Sequence, residues 1–170
     1  EPLPERPIYR TGIGNSPAPV KAEIAESGDW LNYGNDLGGS RFSPLGQITP
    51  ANVKDLKLAW TFRTGTDATG EMPPLEVNPL KVGDTLYICT AYNDVIAIDA
   101  ESGKQKWRFK SGQDMRTAPY GQCRGVAYFR SEGRPICAER ILTATTNARL
   151  LAVDARTGRP CTDFGTNGAV

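Results

Sequence analysis

The amino-acid sequence predicts an all-β fold. Three observations carry the prediction: an internal repeat, short apolar runs separated by turn residues, and no helical periodicity over any long stretch. The repeat is the most informative. AIDAESGKQKW at residues 97–107 returns in degenerate form as AVDARTGRPCT at 152–162, with Asp99 matching Asp154 and Gly103 matching Gly158 at a period of 55 residues. Each copy reads as an apolar, β-branched strand, an Asp, a Ser/Thr-Gly turn where glycine accepts a positive φ, and a polar strand. Such a hairpin repeated at this interval is the pattern of propeller blades, each a four-stranded antiparallel sheet.

The elements follow in chain order. Residues 1–27 hold Pro2, Pro4, Pro7, Pro17 and Pro19 with little periodicity. Proline fixes φ and lacks an N–H, so this part reads as an extended arm or linker. Residues 28–170 read as the propeller portion. DWLNYG at 29–34 and GGSRFSPL at 38–45 form loop and short strand. TPANVKDL at 49–56 reads as a single helical turn, with Thr49 as N-cap and Pro50 at the first helical position. Residues 57–63 alternate around Leu58, Trp60 and Phe62 as a strand with one buried face. One blade then follows as strands 77–80, 83–90, 94–99 and 105–109, with turns at Gly83-Asp84, Asn93-Asp94 and Ser102-Gly103. A second blade runs through 125–129, 140–145, 149–154 and a weak outer strand by Cys161; the insertion 130–137 lengthens its first hairpin. Trp30, Trp60 and Trp107 are assigned to docking between blades rather than to stacking on a ligand.

Length and charge bound the function. At roughly 40 to 55 residues per blade, 170 residues supply two blades and part of a third. Closure is what removes exposed sheet edges, so the chain reads as part of a longer protein, and an isolated piece is expected to self-associate. Net charge is +1 with no block of like charge, which argues against nucleic acid or an anionic membrane surface as the main partner. With no histidine, the segment holds no Ser-His nucleophile pair and lacks the commonest zinc ligand. Cys89, Cys123, Cys137 and Cys161 show no C-x-x-C spacing. Cys89 reads as a small core residue of an apolar strand. Cys137 and Cys161 flank strand 141–145 and its return, a candidate disulfide at a blade rim whose connectivity spacing alone does not fix.

On these motifs the chain resembles the pyrroloquinoline quinone (PQQ) dehydrogenases, and within them the membrane-bound branch that oxidises glucose, quinate or shikimate, and other polyols. The resemblance covers about residues 29–170. It is carried by DWLNYG (29–34), SRFSPL (40–45), LKLAWTFRTG (56–65), EVNPLKVGDTLY (76–87), CRGVAY (123–128) and CTDFG (161–165). It implies the N-terminal portion of an eight-bladed propeller, with PQQ near the axis beside a Ca2+ or Mg2+ ion. It further implies a periplasmic enzyme, anchored to the inner membrane by a preceding segment, that passes electrons to ubiquinone. The catalytic base and most metal ligands are expected in the C-terminal remainder of the propeller, so none is assigned here and the segment alone is expected to be inactive. The alternative class is a non-catalytic propeller scaffold of an outer-membrane assembly complex.

The resemblance also assigns residues. PQQ is a planar ortho-quinone with three carboxylates, so its site needs fixed cations and flat surfaces. Arg124 matches the family arginine that bonds the quinone oxygens; a guanidinium keeps its charge and offers a planar fork. Gly125 lets the backbone pass close to the ring. Glu76 matches a cofactor-contacting glutamate, a carboxylate tolerable beside a tricarboxylate only if protonated or sharing the metal or an arginine. Thr145 aligns with a threonine that hydrogen-bonds a cofactor carboxylate in the alcohol-oxidising relatives. Two departures stand out. Where methanol and ethanol enzymes carry adjacent cysteines, this chain has Gln122-Cys123, so that ring disulfide is absent. Where glucose enzymes carry a pocket histidine, this chain has Tyr120, a poor base at neutral pH, which points toward quinate/shikimate or a related cyclic polyol.

Overall fold

A computed structural model describes residues 28–36, 38–65, 75–114, 122–133 and 135–170. The Pro-rich arm and Tyr120 lie outside the described residues. Among the described residues, seven strands form two antiparallel sheets. The first, in order β1-β2-β3-β4, comprises Leu80–Val82, Thr85–Cys89, Val95–Asp99 and Gln105–Phe109; the second, β5-β6-β7, comprises Ala127–Arg130, Glu139–Ala144 and Leu150–Asp154. Where the sequence expects a fourth strand near Cys161, the chain makes only isolated bridges to β7, Val153 to Pro160 and Leu151 to Ala169. Beyond Cys161 the chain turns, its carbonyl accepting from the Phe164 N–H, and the Gly168 and Val170 carbonyls take the Ala152 and Leu150 N–H groups instead.

The sheets stack face to face. Val95, Ile96, Ala97 and Ile98 of β3 are all buried, as expected of a central strand covered on both sides. Alternation decides which face each serves. Tyr87, Cys89, Val95 and Ala97 point to the second sheet and join Cys123, Val126, Ile141, Val153 and Ala155 in one core. Ile88, Ile96 and Ile98 point the other way, to Trp60 and Phe62.

The 55-residue repeat is one device built twice. Asp99 Oδ1 accepts from the Ser102 N–H and hydroxyl, and Asp154 Oδ1 accepts from those of Thr157. The Gly103 and Gly158 amides return to the Asp99 and Asp154 carbonyls, with φ of +69° at both glycines. A tryptophan from the preceding segment lies on each turn: Trp60 on Gly103 and Trp107 on Gly158, where an added Cβ would come within 2.5 Å of the Trp107 ring. Each indole N–H reaches the same carbonyl of its turn, Trp60 to Ala100 at 3.2 Å and Trp107 to Ala155 at 3.1 Å. The Tyr87 hydroxyl donates to Ala155 O as well, and burial pushes its pKa up to about 12. The Ser102 bonds hold the Asp99 carboxyl below its ordinary value.

Five readings change. The first strand is Leu80–Val82 rather than 77–80, because Pro79 cannot donate and the Asn78 N–H bonds Arg124 O instead. The helical turn is a 3-10 turn over Val53–Asp55, with Asn52 in the cap position. Thr49 contributes its carbonyl to Asn52 and Val53, while the Asn52 side chain accepts from the Thr49 N–H, so Thr49 is not the side-chain cap. Residues 57–63 form no strand, and Leu58 is 82% exposed; among the described residues nothing pairs with their backbone. Trp30 does not dock on a turn as Trp60 and Trp107 do: it bridges Lys81 along the outer edge of β1. Cys89 is fully buried yet more than a core filler, for it is bonded to Cys123.

Candidate functional site

Topology gathers the candidate residues at one end of the two sheets. Leu80 pairs with Tyr87, so the segment carrying Glu76 enters beside the end of β2. Cys89 pairs with Val95, placing turn 90–94 at the same end. In the second sheet Ala127 pairs with Leu142, so Arg124 before β5 and Thr145 after β6 are also at a common end. Two hydrogen bonds tie these ends together: Asn78 N–H to Arg124 O at 2.8 Å, and the Asn93 side-chain amide to Ala144 O. The repeated Asp turns are at the opposite end.

Within this cluster Arg124 Nε lies 3.6 Å from Glu76 Oε2. The arginine side chain is 74% exposed, so its fork is open to a ligand, and the pair itself adds little stability. Gly125 has no positive φ, and a Cβ there would meet only Asn78 O at 3.7 Å and the Tyr33 ring at 3.8 Å. Nothing among the described residues requires glycine, so the missing side chain leaves room beside Arg124. Thr145 is buried; its hydroxyl accepts from the Arg149 N–H at 3.2 Å and stands 2.5 Å from Asn147 Oδ1. That proton is engaged within its own turn. The loop after β4 is held by Asp94, which takes Arg108 on one oxygen and the Ser111 N–H on the other.

A second grouping lies by the second sheet. Cys137 and Cys161 are joined in a disulfide, with Asp163 close by. Buried Arg140 bonds both the Cys137 carbonyl and Asp163. The sulfurs are committed to each other and the carboxylate to Arg140, so this grouping is a structural tie and not a metal centre.

The family described as glucose/ethanol/alcohol dehydrogenase, beta-propeller domain, a PQQ family, matches residues 30–170. The chain belongs to this PQQ dehydrogenase propeller family. It is 44% identical to the glycerol dehydrogenase large subunit of Gluconobacter oxydans, over 90% of this chain and 22% of that protein. It is 42% identical to the quinate/shikimate dehydrogenase (quinone) of Acinetobacter baylyi, over 89% of this chain and 20% of the relative. Quinoprotein glucose dehydrogenase A of Acinetobacter calcoaceticus is 40% identical over 91% and 22%. Among solved structures, quinohemoprotein alcohol dehydrogenase from Comamonas testosteroni superposes with a TM-score of 0.67 at 30% identity, covering 81% of this chain and 19% of that one. The chain thus spans about a fifth of the length of the PQQ dehydrogenases it matches. No helix among the described residues is long and apolar enough to cross a membrane.

Sequence reasoning missed the roles of two residues of the cluster, Asn93, read only as a turn residue, and Cys89, read only as core. Asn93 joins the sheets and has φ of 59°; the 55-residue register places it opposite Ala148, whose φ is 60°, in the same kind of turn. That register, extended past the hairpin, would have found it, since Asn tolerates the left-handed region. Cys89 was detectable only as a member of an even cysteine set, which does not name its partner.

Proposed function

We propose that this chain is the N-terminal part of a PQQ-dependent dehydrogenase oxidising a polyol, among quinate, shikimate and glucose. The observation that carries the reading is the Arg124–Glu76 pair beside Gly125, at the sheet end shared with Thr145, in a chain of this family. The donor set suits a flat polyanion: an accessible guanidinium, a carboxylate that orients it, and an uncrowded backbone. When bound, PQQ supplies an ortho-quinone that takes two electrons from the alcohol.

The chain's own residues perform the holding. Arg124 presents a permanent cation to cofactor oxygens and stabilises negative charge that grows there. Glu76, sharing that arginine, fixes the direction of the fork and is itself spared an unpaired approach to a carboxylate. Thr145 would serve a carboxylate by redirecting its hydroxyl proton away from Asn147. The Ca2+ or Mg2+ ligands, the proton acceptor and the rest of the ring belong to the remainder of the protein. Its place is the periplasmic face of the inner membrane, with ubiquinone as acceptor.

The test is reconstitution of the full-length protein with PQQ and Ca2+, followed by a dye-linked assay on polyols. Arg124→Lys keeps the charge and loses the fork, so kcat should fall by about 2–4 kcal/mol of transition-state stabilisation, the scale of one oxyanion donor. Turnover at the parent rate would remove Arg124 from the reacting end. Tyr120→His should move relative kcat/KM toward glucose and away from quinate or shikimate. An unchanged order across the substrate panel would take Tyr120 out of the pocket.

A further inference from the structure

We infer that the Cys89–Cys123 disulfide is a positioning device for Arg124, holding the guanidinium where it meets Glu76 and thereby setting the affinity for an anionic cofactor. The inference rests on the reading of Arg124 and Glu76 as cofactor-holding residues.

Cys123 immediately precedes Arg124, and its partner is fully buried in β2, where Cys89 pairs with Val95 in the central ladder. The bond therefore pins the backbone beside Arg124 to the buried central ladder of the first sheet, across a separation of 34 residues. The other restraints on Arg124 are slight. It lies outside any strand, its side chain is largely exposed, and its ion pair with Glu76 is long; the bond from the Asn78 N–H to its carbonyl is the main backbone tie. The bond also sits at the junction of the sheets. The Cys123 sulfur is 3.3 Å from Gly125 O and 4.0 Å from the Thr143 hydroxyl on β6, two residues before Thr145. Along the segment Cys123 and Val126 are inside while Arg124 between them is outside. A slip at 123 would thus carry the arginine off its line.

The experiment compares full-length protein with its Cys89→Ala/Cys123→Ala variant, and uses Cys137→Ala/Cys161→Ala as control. PQQ affinity, measured by titration into cofactor-free protein, should weaken about tenfold or more in the first variant, the scale of a misplaced binding group. The control should stay close to the parent. At saturating PQQ most of the kcat should return. Amide exchange in the cofactor-free protein should quicken at 122–126 while β2 and β3 stay protected. In an Arg124→Ala background, removing the disulfide should cost no further affinity, because two residues acting through one contact are not additive. Equal losses with and without Arg124, or unchanged affinity, would overturn the inference. If Cys89→Ala/Cys123→Ala does not fold, Cys89→Ser/Cys123→Ser takes its place; failure of both would make the bond a requirement of folding rather than of positioning, which also overturns it. Parent protein that binds no PQQ would instead sink the functional reading itself.

Discussion

At the scale of single residues, Tyr87 shows how burial becomes a pH dependence. Its hydroxyl reaches Ala155 O across the sheets, and its pKa rises from 10 to about 12. The folded state therefore favours the neutral phenol. That contribution is fully present below pH 10 and is lost as pH rises through the interval to 12, by roughly 2–3 kcal/mol at its upper end. Thermal unfolding against pH should show this alkaline loss in the parent and a smaller one in Tyr87→Phe, which at neutral pH gives up about 1 kcal/mol with its hydrogen bond. Asp99 titrates in the opposite sense. Its lowered pKa means that its contribution holds above the ordinary carboxylate value of 3.8 and fades as pH falls below it, a loss that Asp99→Asn should not share. Gly158 is constrained twice, by a φ of +69° and by the Trp107 ring against its missing side chain. Gly158→Ala should cost roughly 1–3 kcal/mol in the unfolding of the full-length protein.

At the scale of elements, the sequence was most legible where one local pattern decided the structure. The Asp-x-x-Ser/Thr-Gly turns were readable because an Asx turn and a positive-φ glycine are both properties of a few adjacent residues. The residues of β3 and β4 were readable for the same reason. Legibility failed where the deciding partner is distant. Residues 57–63 alternate like a strand, but a strand needs a neighbouring backbone, and none of the described residues provides one. The first strand shifted because Asn78 spends its amide on Arg124, some 46 residues away in the segment before β5. At the candidate site, Glu76, Arg124 and Thr145 were nameable from motifs, but their sharing of one sheet end follows from strand register, which no motif states. In the full-length protein, amide exchange at 57–62 should be slow if these residues gain a strand neighbour there. Exchange as fast as at the exposed loop 43–48 would show that they stay unpaired.

At the scale of the molecule, the proposed reading gives the segment cofactor-facing charge and leaves the acid–base chemistry to the remainder, so the chain alone, given PQQ and Ca2+, should show no dye-linked turnover; measurable oxidation would contradict the division of labour proposed above. The joint between successive units has a wider consequence. Trp60 on Gly103 and Trp107 on Gly158 are plugs and sockets of one chemistry, each with an indole donor, a glycine face and an alanine carbonyl. Because the two joints use the same groups, the joint fixes how units connect without fixing how many there are. A lineage could gain or lose a whole unit by recombination at these turns and still leave each remaining junction matched, so ring size becomes something the long-range closure must decide, not the local seam.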